Sequence, residues 1–362
     1  MRNIRVNLAE KSYDILLESG ILNSEAGMEA IAPFSRKGEK LAVVSDRNVR
    51  DIYGEAFIDR LRAAVPGEVF SVAIRPGEES KNLDTLSRIF DAFAEAELGR
   101  RGLVIALGGG VAGDIAGFAA ACWMRGVRHI QIPTSLLAMV DSSVGGKTAV
   151  DIPAGKNLVG AFHQPSLVLV DPKLTATLPA REFASGMGEI IKYGTALSEA
   201  LFRRIGTEVP GAFSPALESM IAECICLKRD VVEEDEFESG RRKLLNFGHS
   251  FGHAIEVKTG FSAYSHGAAV AAGMRIAARF GERAGVTEAG TAGRVEKLLA
   301  KYNLNIEEET KGLAEYMKRD KKAAAGGVSL VLLKRIGEAV IVEMGFSEIE
   351  KNLASLDTGS GR

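Results

Sequence analysis

Apolar and polar positions follow two different patterns along the chain. Up to about residue 182, short apolar runs typical of buried strands alternate with segments that have the spacing of amphipathic helices. The runs predict strands at 2–8, 13–17, 41–45, 69–74, 103–107, 130–132 and 167–170, and the helical spacing predicts helices at 55–64, 83–98 and 112–122. Because strands alternate with helices, we expect an α/β domain with a mostly parallel sheet.

The second pattern begins after residue 182. Residues 182–317 carry Ala, Glu, Lys and Arg at helical spacing and contain few β-branched runs. Strands are predicted only at 328–333 and 339–342, where they would form a hairpin. We therefore predict an α/β domain over 1–182, a mainly α-helical domain over 183–356 and a disordered tail at 357–362.

Length and composition narrow the class of protein. A chain of 362 residues favours about two domains, and a net charge of −2 argues against general attraction to nucleic acid or membrane surfaces. Three cysteines at irregular spacing do not form a disulfide framework. The N-terminus lacks the apolar stretch of a signal peptide, and the most apolar region, 103–123, contains Asp114 and five glycines. We expect a cytoplasmic protein with reduced thiols.

Three of the five histidines lie within eighteen residues, at His249, His253 and His266. His249 and His253 are four positions apart, which places them on one face of a helix. Imidazole is a common zinc ligand, and a carboxylate from elsewhere often completes a catalytic site with an open position. Structural histidines in the core or at helix caps are the alternative, but a cluster that uses most of the histidines favours a functional site.

A glycine-rich turn follows the predicted strand at 103–107. Its sequence, Gly108-Gly109-Gly110-Val111-Ala112-Gly113, matches G-x-G-x-x-G between a strand and a helix, the context in which backbone N–H groups bind a pyrophosphate. Tight packing of the helix on the strand is an equally good explanation. The usual acidic partner is missing, since residues 128–134 contain no Asp or Glu, and Asp46 is the candidate ribose ligand instead. The turn at 76–81 is a second polar loop at the same end of the sheet, or a solvated loop capped by Ser80 or Asn82.

A long polar connection is predicted around residues 141–148 and 155–157. Gly146-Lys147-Thr148 resembles the end of a phosphate-binding loop, but Asp141 occupies the position of the first glycine in G-x-x-x-x-G-K-[ST]. A nucleotide triphosphatase is therefore not expected. Lys147, Lys156 and Asn157 could still bind a smaller anion, although each alone is more often a solvated side chain.

Taken together, these motifs resemble the 3-dehydroquinate synthase family, a group of sugar-phosphate cyclases. The resemblance covers nearly the whole chain and is carried by 76–81, 108–114, 123–126, 133–148, 155–157, 188–194, 244–256, 266–267 and 319–322. Three departures are mild: Ser135 replaces the usual Thr, Met139 replaces a common Gln, and Gly188 stands where Ala often precedes the metal-binding Glu. The resemblance implies a Rossmann-like NAD-binding domain and a helical domain that binds metal and substrate.

The resemblance also assigns roles to individual residues. The implied metal ligands for Zn²⁺ or Co²⁺ are Glu189, His249 and His266. The implied catalytic residues are Asp141, Lys192, Lys228, Arg242, Asn246 and His253. Substrate contacts are implied for Arg125, Lys147, Asn157, Lys321 and His266, with Arg125 supplied by the neighbouring subunit of a homodimer. The implied NAD contacts are Asp46, Asn48, Glu78, Lys81, Gly110, Val111, Ala112, Gly113, Asp114, Thr134, Ser135, Lys147, Lys156, Leu174, Thr175, Ala176 and Thr177.

The implied activity is that of a carbon–oxygen lyase of the shikimate pathway to aromatic amino acids. The implied reaction converts 3-deoxy-D-arabino-heptulosonate 7-phosphate to 3-dehydroquinate and phosphate. Its steps are oxidation, β-elimination of phosphate, reduction, ring opening and aldol closure, and NAD is regenerated in each turnover. Arg242 suits the planar carboxylate of this substrate, with Lys228 beside it. The alternatives are another sugar-phosphate cyclase, a metal- and NAD-dependent polyol dehydrogenase, and a nucleotide-binding regulatory module with structural histidines.

Overall fold

The computed structural model describes residues 1–260, 263–320 and 327–357. The chain forms two compact units. The first comprises Met1–Leu178 together with Lys228–Glu233, and the second comprises Pro179–Leu227 together with Glu234–Arg362. The described residues contain no helix that is both long and apolar enough to cross a membrane.

The first unit is built on a seven-stranded sheet with the order β1-β2-β9-β6-β5-β3-β4. Only the β1–β2 pair is antiparallel; the remaining neighbours run parallel, as the alternation of strands and helices predicted. The seven strands of this sheet are β1 (Arg2–Val6), β2 (Tyr13–Leu17), β3 (Lys40–Asp46), β4 (Glu68–Ile74), β5 (Leu103–Gly108), β6 (Arg128–Pro133) and β9 (Leu167–Val170). Two further strands, β7 (Lys147–Ile152) and β8 (Gly155–Phe162), lie outside this sheet.

The helices of the first unit cover an apolar core. They are α1 (Glu25–Ile31), α2 (Arg47–Val49), α3 (Glu55–Ala64), α4 (Leu83–Glu95) and α5 (Gly110–Cys122). Short 3₁₀ or π turns lie at Ala9–Lys11, Ile21–Asn23, Ala32–Phe34, Arg50–Gly54, Glu78–Ser80, Trp123–Arg125, Ala138–Ser142 and Pro172–Thr177. Buried side chains of α4 and α5, including Ile89, Phe93 and Ile115, pack in one cluster with Val44 of β3 and Val104 of β5. Asn82 caps α4, since its Oδ1 accepts from Thr85 N–H at 2.8 Å.

The polar segment between β6 and β9 differs from the prediction. We expected a long connection, but β7 and β8 form a separate antiparallel hairpin in which Lys147 pairs with Phe162 and Ile152 with Gly155. The sequence obscured β8 because it begins Gly-Lys-Asn, residues that are depleted in strands, and Asn157 adopts a positive φ of 56°. The hairpin packs closely on α5. Gly117 of α5 lies so near Thr148 of β7 that a Cβ on this glycine would be 2.5 Å from Thr148 Cγ2.

The second unit is mainly helical, as expected. Its elements are α6 (Ala180–Leu197), α7 (Glu199–Thr207), α8 (Pro215–Glu234), α9 (His249–Lys258), α10 (His266–Arg283), α11 (Thr291–Lys301), α12 (Leu313–Asp320), β10 (Gly327–Arg335), β11 (Glu338–Gly345) and α13 (Phe346–Asp357), with a 3₁₀ turn at Arg241–Asn246. Residues 228–233 of α8 belong to the first unit. Strands β10 and β11 form the predicted antiparallel hairpin.

The C-terminal segment differs from the prediction in one respect. Helix α13 was not predicted; its last residue is Asp357, the first residue of the predicted tail at 357–362. Residues 358–362 lie outside the described part of the chain.

Candidate functional site

A buried carboxylate and two imidazoles meet in the second unit. Glu189 lies in α6, while His249 and His266 are the first residues of α9 and α10. One ligand atom from each residue can be chosen so that the three lie within 4.8 Å of one another. His249 Nε2 and His266 Nε2 lie 3.9 and 3.8 Å from Glu189 Oε1. This is the carboxylate-and-two-histidine set typical of catalytic zinc sites.

The local sequence explains how α6 reaches the start of α10. A Cβ on Gly188 would lie 3.0 Å from the carbonyl oxygen of Gly267, and Gly267 N–H donates to Ser185 Oγ at 3.1 Å. Only small residues allow two backbones to approach so closely. The approach brings Glu189 and His266 together, although they are distant in sequence. Gly188, one of the departures from the family pattern, lies at this contact.

Glu189 is almost completely buried, with 1% of its surface exposed. Its Oε2 lies 2.6 Å from Nζ of Lys192, which is 2% exposed, and Oε1 has no hydrogen-bond partner among the described residues. A buried carboxylate oxygen without a donor is costly unless a charged group is supplied. The donor set and this oxygen therefore fit a divalent cation.

His253 lies one turn after His249 on α9, and its ring is 6.0 Å from that of His266. Its Nδ1 lies 2.8 Å from Oε2 of Glu256, a residue that is only 3% exposed. No role was predicted for Glu256 from the sequence. The spacing in the sequence could have indicated it: His249, His253 and Glu256 lie at positions i, i+4 and i+7, which share one face of a helix.

The segment before α9 holds Arg242 and Asn246. The Asp235 carboxylate accepts from the backbone N–H groups of Ser239, Gly240 and Arg242 at 2.7–3.0 Å. Partial desolvation acts to raise the pKa of Asp235, but these hydrogen bonds outweigh it and hold the pKa at about 2. The Arg242 side chain is 1% exposed and donates to the Glu236 carbonyl, while Asn246 Nδ2 donates to Glu238 Oε1 at 2.6 Å.

In the first unit, the glycine-rich turn lies where β5 meets α5. A Cβ on Gly108 would lie 3.6 Å from Asp46 Oδ2, and one on Gly109 would lie 3.3 Å from Ser135 Oγ. Thr134 N–H donates to the Gly108 carbonyl at 2.9 Å. Asp46, Thr134 and Ser135 are thus brought to the turn, at the carboxyl ends of neighbouring parallel strands where α/β folds bind ligands.

Lys81 connects several predicted cofactor and substrate residues. Its buried Nζ lies 2.6 Å from Asp114 Oδ2 and donates to Asn157 Oδ1 at 2.6 Å. Burial acts to lower the pKa of Lys81, but the neighbouring carboxylates of Asp114 and Glu78 raise it above its ordinary value. The lysine therefore stays charged. Asn157 N–H also donates to Asp151 Oδ1 at 2.8 Å.

A second buried ion pair involves Lys228. Its Nζ donates to the backbone carbonyl of Asp141 at 2.6 Å and to the Asp141 carboxylate at 2.9 Å. Only 8% of the Lys228 side chain is exposed. The resemblance assigned both residues to catalysis, and the structure brings them into direct contact.

The remaining predicted residues are more dispersed. Asn48 lies in α2, and Leu174, Thr175, Ala176 and Thr177 form a 3₁₀ turn tied by the Tyr53 hydroxyl. Arg125 is exposed in a turn with positive φ. Lys147 begins β7, at the opposite end of the hairpin from Lys156 and Asn157. Lys321 lies outside the described residues.

The chain is similar to known proteins in both sequence and structure. The family model "3-dehydroquinate synthase N-terminal" matches residues 71–185, and "3-dehydroquinate synthase C-terminal" matches residues 186–323. A 3-dehydroquinate synthase from Clostridium perfringens is 47% identical over 354 residues, covering 94% of this chain and 97% of the relative.

Solved structures of two other cyclases are also similar. A 2-deoxy-scyllo-inosose synthase complexed with carbaglucose-6-phosphate, NAD⁺ and Co²⁺ has a TM-score of 0.85 at 25% identity, covering 98% of this chain and 100% of the other. A 2-epi-5-epi-valiolone synthase from Streptomyces hygroscopicus with NAD⁺ and Zn²⁺ bound has a TM-score of 0.84 at 28% identity, covering 97% and 98%.

Proposed function

The chain belongs to the 3-dehydroquinate synthase family, and on that premise we propose that it converts 3-deoxy-D-arabino-heptulosonate 7-phosphate to 3-dehydroquinate and phosphate. The observation that carries the proposal is the meeting of Glu189, His249 and His266. These are the three residues that the family resemblance assigned to the metal.

We assign a divalent cation, Zn²⁺ or Co²⁺, to these three residues. The two similar cyclases were solved with one or the other metal, which supports both choices. When bound, such an ion acts as a Lewis acid that lowers the pKa of a hydroxyl or water ligand. Nζ of buried Lys192 lies 2.6 Å from Glu189 Oε2 and neutralises part of the charge on this carboxylate.

NAD is assigned to the glycine-rich turn of the first unit. The N-terminus of α5 can offer backbone N–H groups to a pyrophosphate, and Asp46 can offer a carboxylate to a ribose. The same cyclases were solved with NAD⁺, which supports this assignment. The proposed reaction ends at the oxidation level at which it starts, so NAD serves as a catalytic cofactor.

The substrate carries a carboxylate and a phosphate, and separate cationic groups suit them. Arg242 presents a planar guanidinium that can pair with two carboxylate oxygens, and Lys228 supplies a second positive charge. Lys147, Asn157, Lys321 and the partner subunit's Arg125 are proposed for the phosphate, where ammonium and amide donors can surround a tetrahedral anion.

One assay tests the proposed reaction against its rivals. Metal-loaded enzyme is incubated with NAD and the heptulosonate phosphate; the carbocyclic product is identified by NMR and phosphate is quantified. We expect 3-dehydroquinate and phosphate in equal amounts, and no product from the matched variant His249→Ala. Turnover of glucose 6-phosphate, which lacks the carboxylate, would instead indicate another cyclase. Turnover of a polyol with accumulation of NADH would indicate a dehydrogenase.

We also propose that the protein acts as a cytoplasmic homodimer, as the resemblance implied. Light scattering during size-exclusion chromatography should give twice the chain mass of 38.6 kDa. Mixing an inactive Arg125→Ala protein with an inactive Glu189→Ala protein should restore part of the activity, because a mixed dimer then contains one complete set of residues. No restoration would contradict the contribution of Arg125 across the interface.

A further inference from the structure

We propose that Glu256 is a positioning residue for His253 and His266. Its two carboxylate oxygens hold a proton on Nδ1 of each ring, so that each ring presents the lone pair of Nε2. The inference rests on the proposed function only where it predicts turnover. Its predictions for metal affinity and for the imidazole tautomer need no substrate.

The placement of Glu256 follows from two helices. His249, His253 and Glu256 occupy positions i, i+4 and i+7 of α9, and His266 starts α10. Glu256 therefore lies on the face of α9 that carries the two histidines. It is 3% exposed, so its charge is largely removed from solvent.

The distances assign one oxygen to each ring. Oε2 of Glu256 lies 2.8 Å from His253 Nδ1, within normal hydrogen-bond length. Oε1 lies 3.5 Å from His266 Nδ1, a longer electrostatic contact. A carboxylate only accepts, so both contacts favour the tautomer with the proton on Nδ1.

The same arrangement holds for the remaining ring of the cluster. His249 Nδ1 lies 3.3 Å from the Phe247 carbonyl, and the Nε2 atoms of His249 and His266 lie on the side of Glu189. A histidine that ligates through one nitrogen commonly donates the other N–H to a carboxylate or carbonyl, which fixes its tautomer. For His253 the consequence is an Nε2 that accepts a proton or a hydrogen bond.

An amide cannot replace this carboxylate. Glutamine has one accepting oxygen and one donating nitrogen, so it can favour the Nδ1–H tautomer in only one of the two rings. The other ring then faces a donor, which favours the tautomer with the proton on Nε2. In His266 that proton would block the ligating nitrogen, and in His253 it would remove the proton acceptor.

Glu256→Gln is the decisive variant, and Glu296→Gln is its matched control. Glu296 pairs with Arg275 and Arg279 in the same unit, so the control removes a partly buried carboxylate that contacts arginines. Chelator competition measures the Zn²⁺ dissociation constant, and ¹⁵N NMR of histidine-labelled protein reports the tautomers. We expect Glu256→Gln to weaken Zn²⁺ binding or to lower kcat by roughly 10- to 100-fold, as outer-shell changes do, and to change the tautomer of one ring. Glu296→Gln should change neither metal binding nor tautomer.

A double-mutant cycle separates positioning from general destabilisation. If Glu256 acts on turnover through His253, Glu256→Gln should lower kcat much less in a His253→Ala background. Circular dichroism checks folding, and Glu256→Met, which removes both acceptors at similar volume, is measured if the amide variant does not fold. Unchanged Zn²⁺ affinity, tautomers and kcat in the folded variant would overturn the proposal. If the wild type bound Zn²⁺ but made no 3-dehydroquinate, the proposed function would be contradicted. The histidine tautomers would still test the positioning role of Glu256, because their measurement needs no substrate.

Discussion

At the scale of single residues, burial determines what the ionisable side chains can do. Glu189 is held in the interior at 2.6 Å from Lys192, and its other oxygen faces the Nε2 atoms of two histidines. Removing any one of the three proposed ligands leaves fewer than the three protein ligands that a catalytic zinc site uses. Metal binding should therefore be sensitive to each of them.

We predict that Glu189→Ala, His249→Ala and His266→Ala each lose the metal and the activity together. The loss of affinity should exceed the roughly 10- to 100-fold caused by removal of an outer-shell partner. Elemental analysis after dialysis measures bound metal. His253→Ala is the control, since it should retain the metal and slow turnover. Loss of metal from His253→Ala with retention in His266→Ala would show that the ligands are assigned wrongly.

His129 gives the first unit a dependence on pH. It is 1% exposed and stacked on His163, and burial, together with the neighbouring imidazole, lowers its pKa to about 3. The folded protein therefore keeps His129 neutral at pH values where the unfolded chain protonates it. Because the unfolded state binds more protons between about pH 6.5 and 3, the contribution to stability is complete above pH 6.5 and declines as the pH falls.

We predict that unfolding free energy falls by up to about 1.4 kcal/mol per pH unit below pH 6 through this one group. Urea unfolding of wild type and His129→Phe at pH 7 and pH 5 isolates the effect, because the variant lacks the titrating ring. The difference in stability between the two proteins should shift in favour of the variant at pH 5. An equal loss of stability in both proteins would contradict the role of His129.

At the scale of elements, the close contact between α9 and α10 brings the three imidazoles near one another. A Cβ on Gly273 of α10 would lie 2.6 Å from the backbone nitrogen of Gly252 and closer still to the Gly248 carbonyl oxygen. A Cβ on Gly252 would lie 2.9 Å from the Ala269 carbonyl oxygen. Glycine on both helices thus permits an approach at which His249, His253 and His266 share one cluster.

We predict that Gly273→Ala destabilises the protein by about 1–3 kcal/mol or more, as overpacking does, and weakens metal binding. The control is Gly293→Ala in α11, where a Cβ meets nothing within 4 Å. That change should stabilise by about 0.4–1 kcal/mol, since it reduces the conformational freedom of the unfolded chain. Denaturant unfolding and chelator competition measure both effects. Equal stability of the two variants would argue against a close helix contact.

At the scale of the whole molecule, the first unit contains the glycine-rich turn proposed for NAD, and the second contains the proposed metal ligands. The proposed substrate and products are at the same oxidation level, so NAD bound at this turn would act as a catalytic cofactor and no net NADH should form. We predict that absorbance at the NADH wavelength does not rise during steady turnover while phosphate accumulates. NADH formed in the same amount as product would contradict this cycle and favour a dehydrogenase.

Local pattern determined much of this architecture. Helix α3 (Glu55–Ala64) has the bounds that its periodicity predicted, because it buries one face that repeats along its sequence. Strand β9 (Leu167–Val170) has the bounds of its apolar run, because all four of its residues are buried. The histidine cluster and the glycine-rich turn were likewise visible as types of residue at characteristic spacing. The motifs also predicted the family, because they occur along the chain in the same order as in the 3-dehydroquinate synthase family.

Other features depended on contacts between residues far apart in sequence. Periodicity could not select Glu189 among the many carboxylates, because its role follows from the close approach of Gly188 to Gly267. The β7–β8 hairpin was missed because its residues have low strand propensity and packing on α5 determines its structure. Glu256 became visible only when its burial and its distances to two imidazoles were known. Spacing determines which side chains share an element, whereas the packing of elements decides which of them meet and lose contact with water.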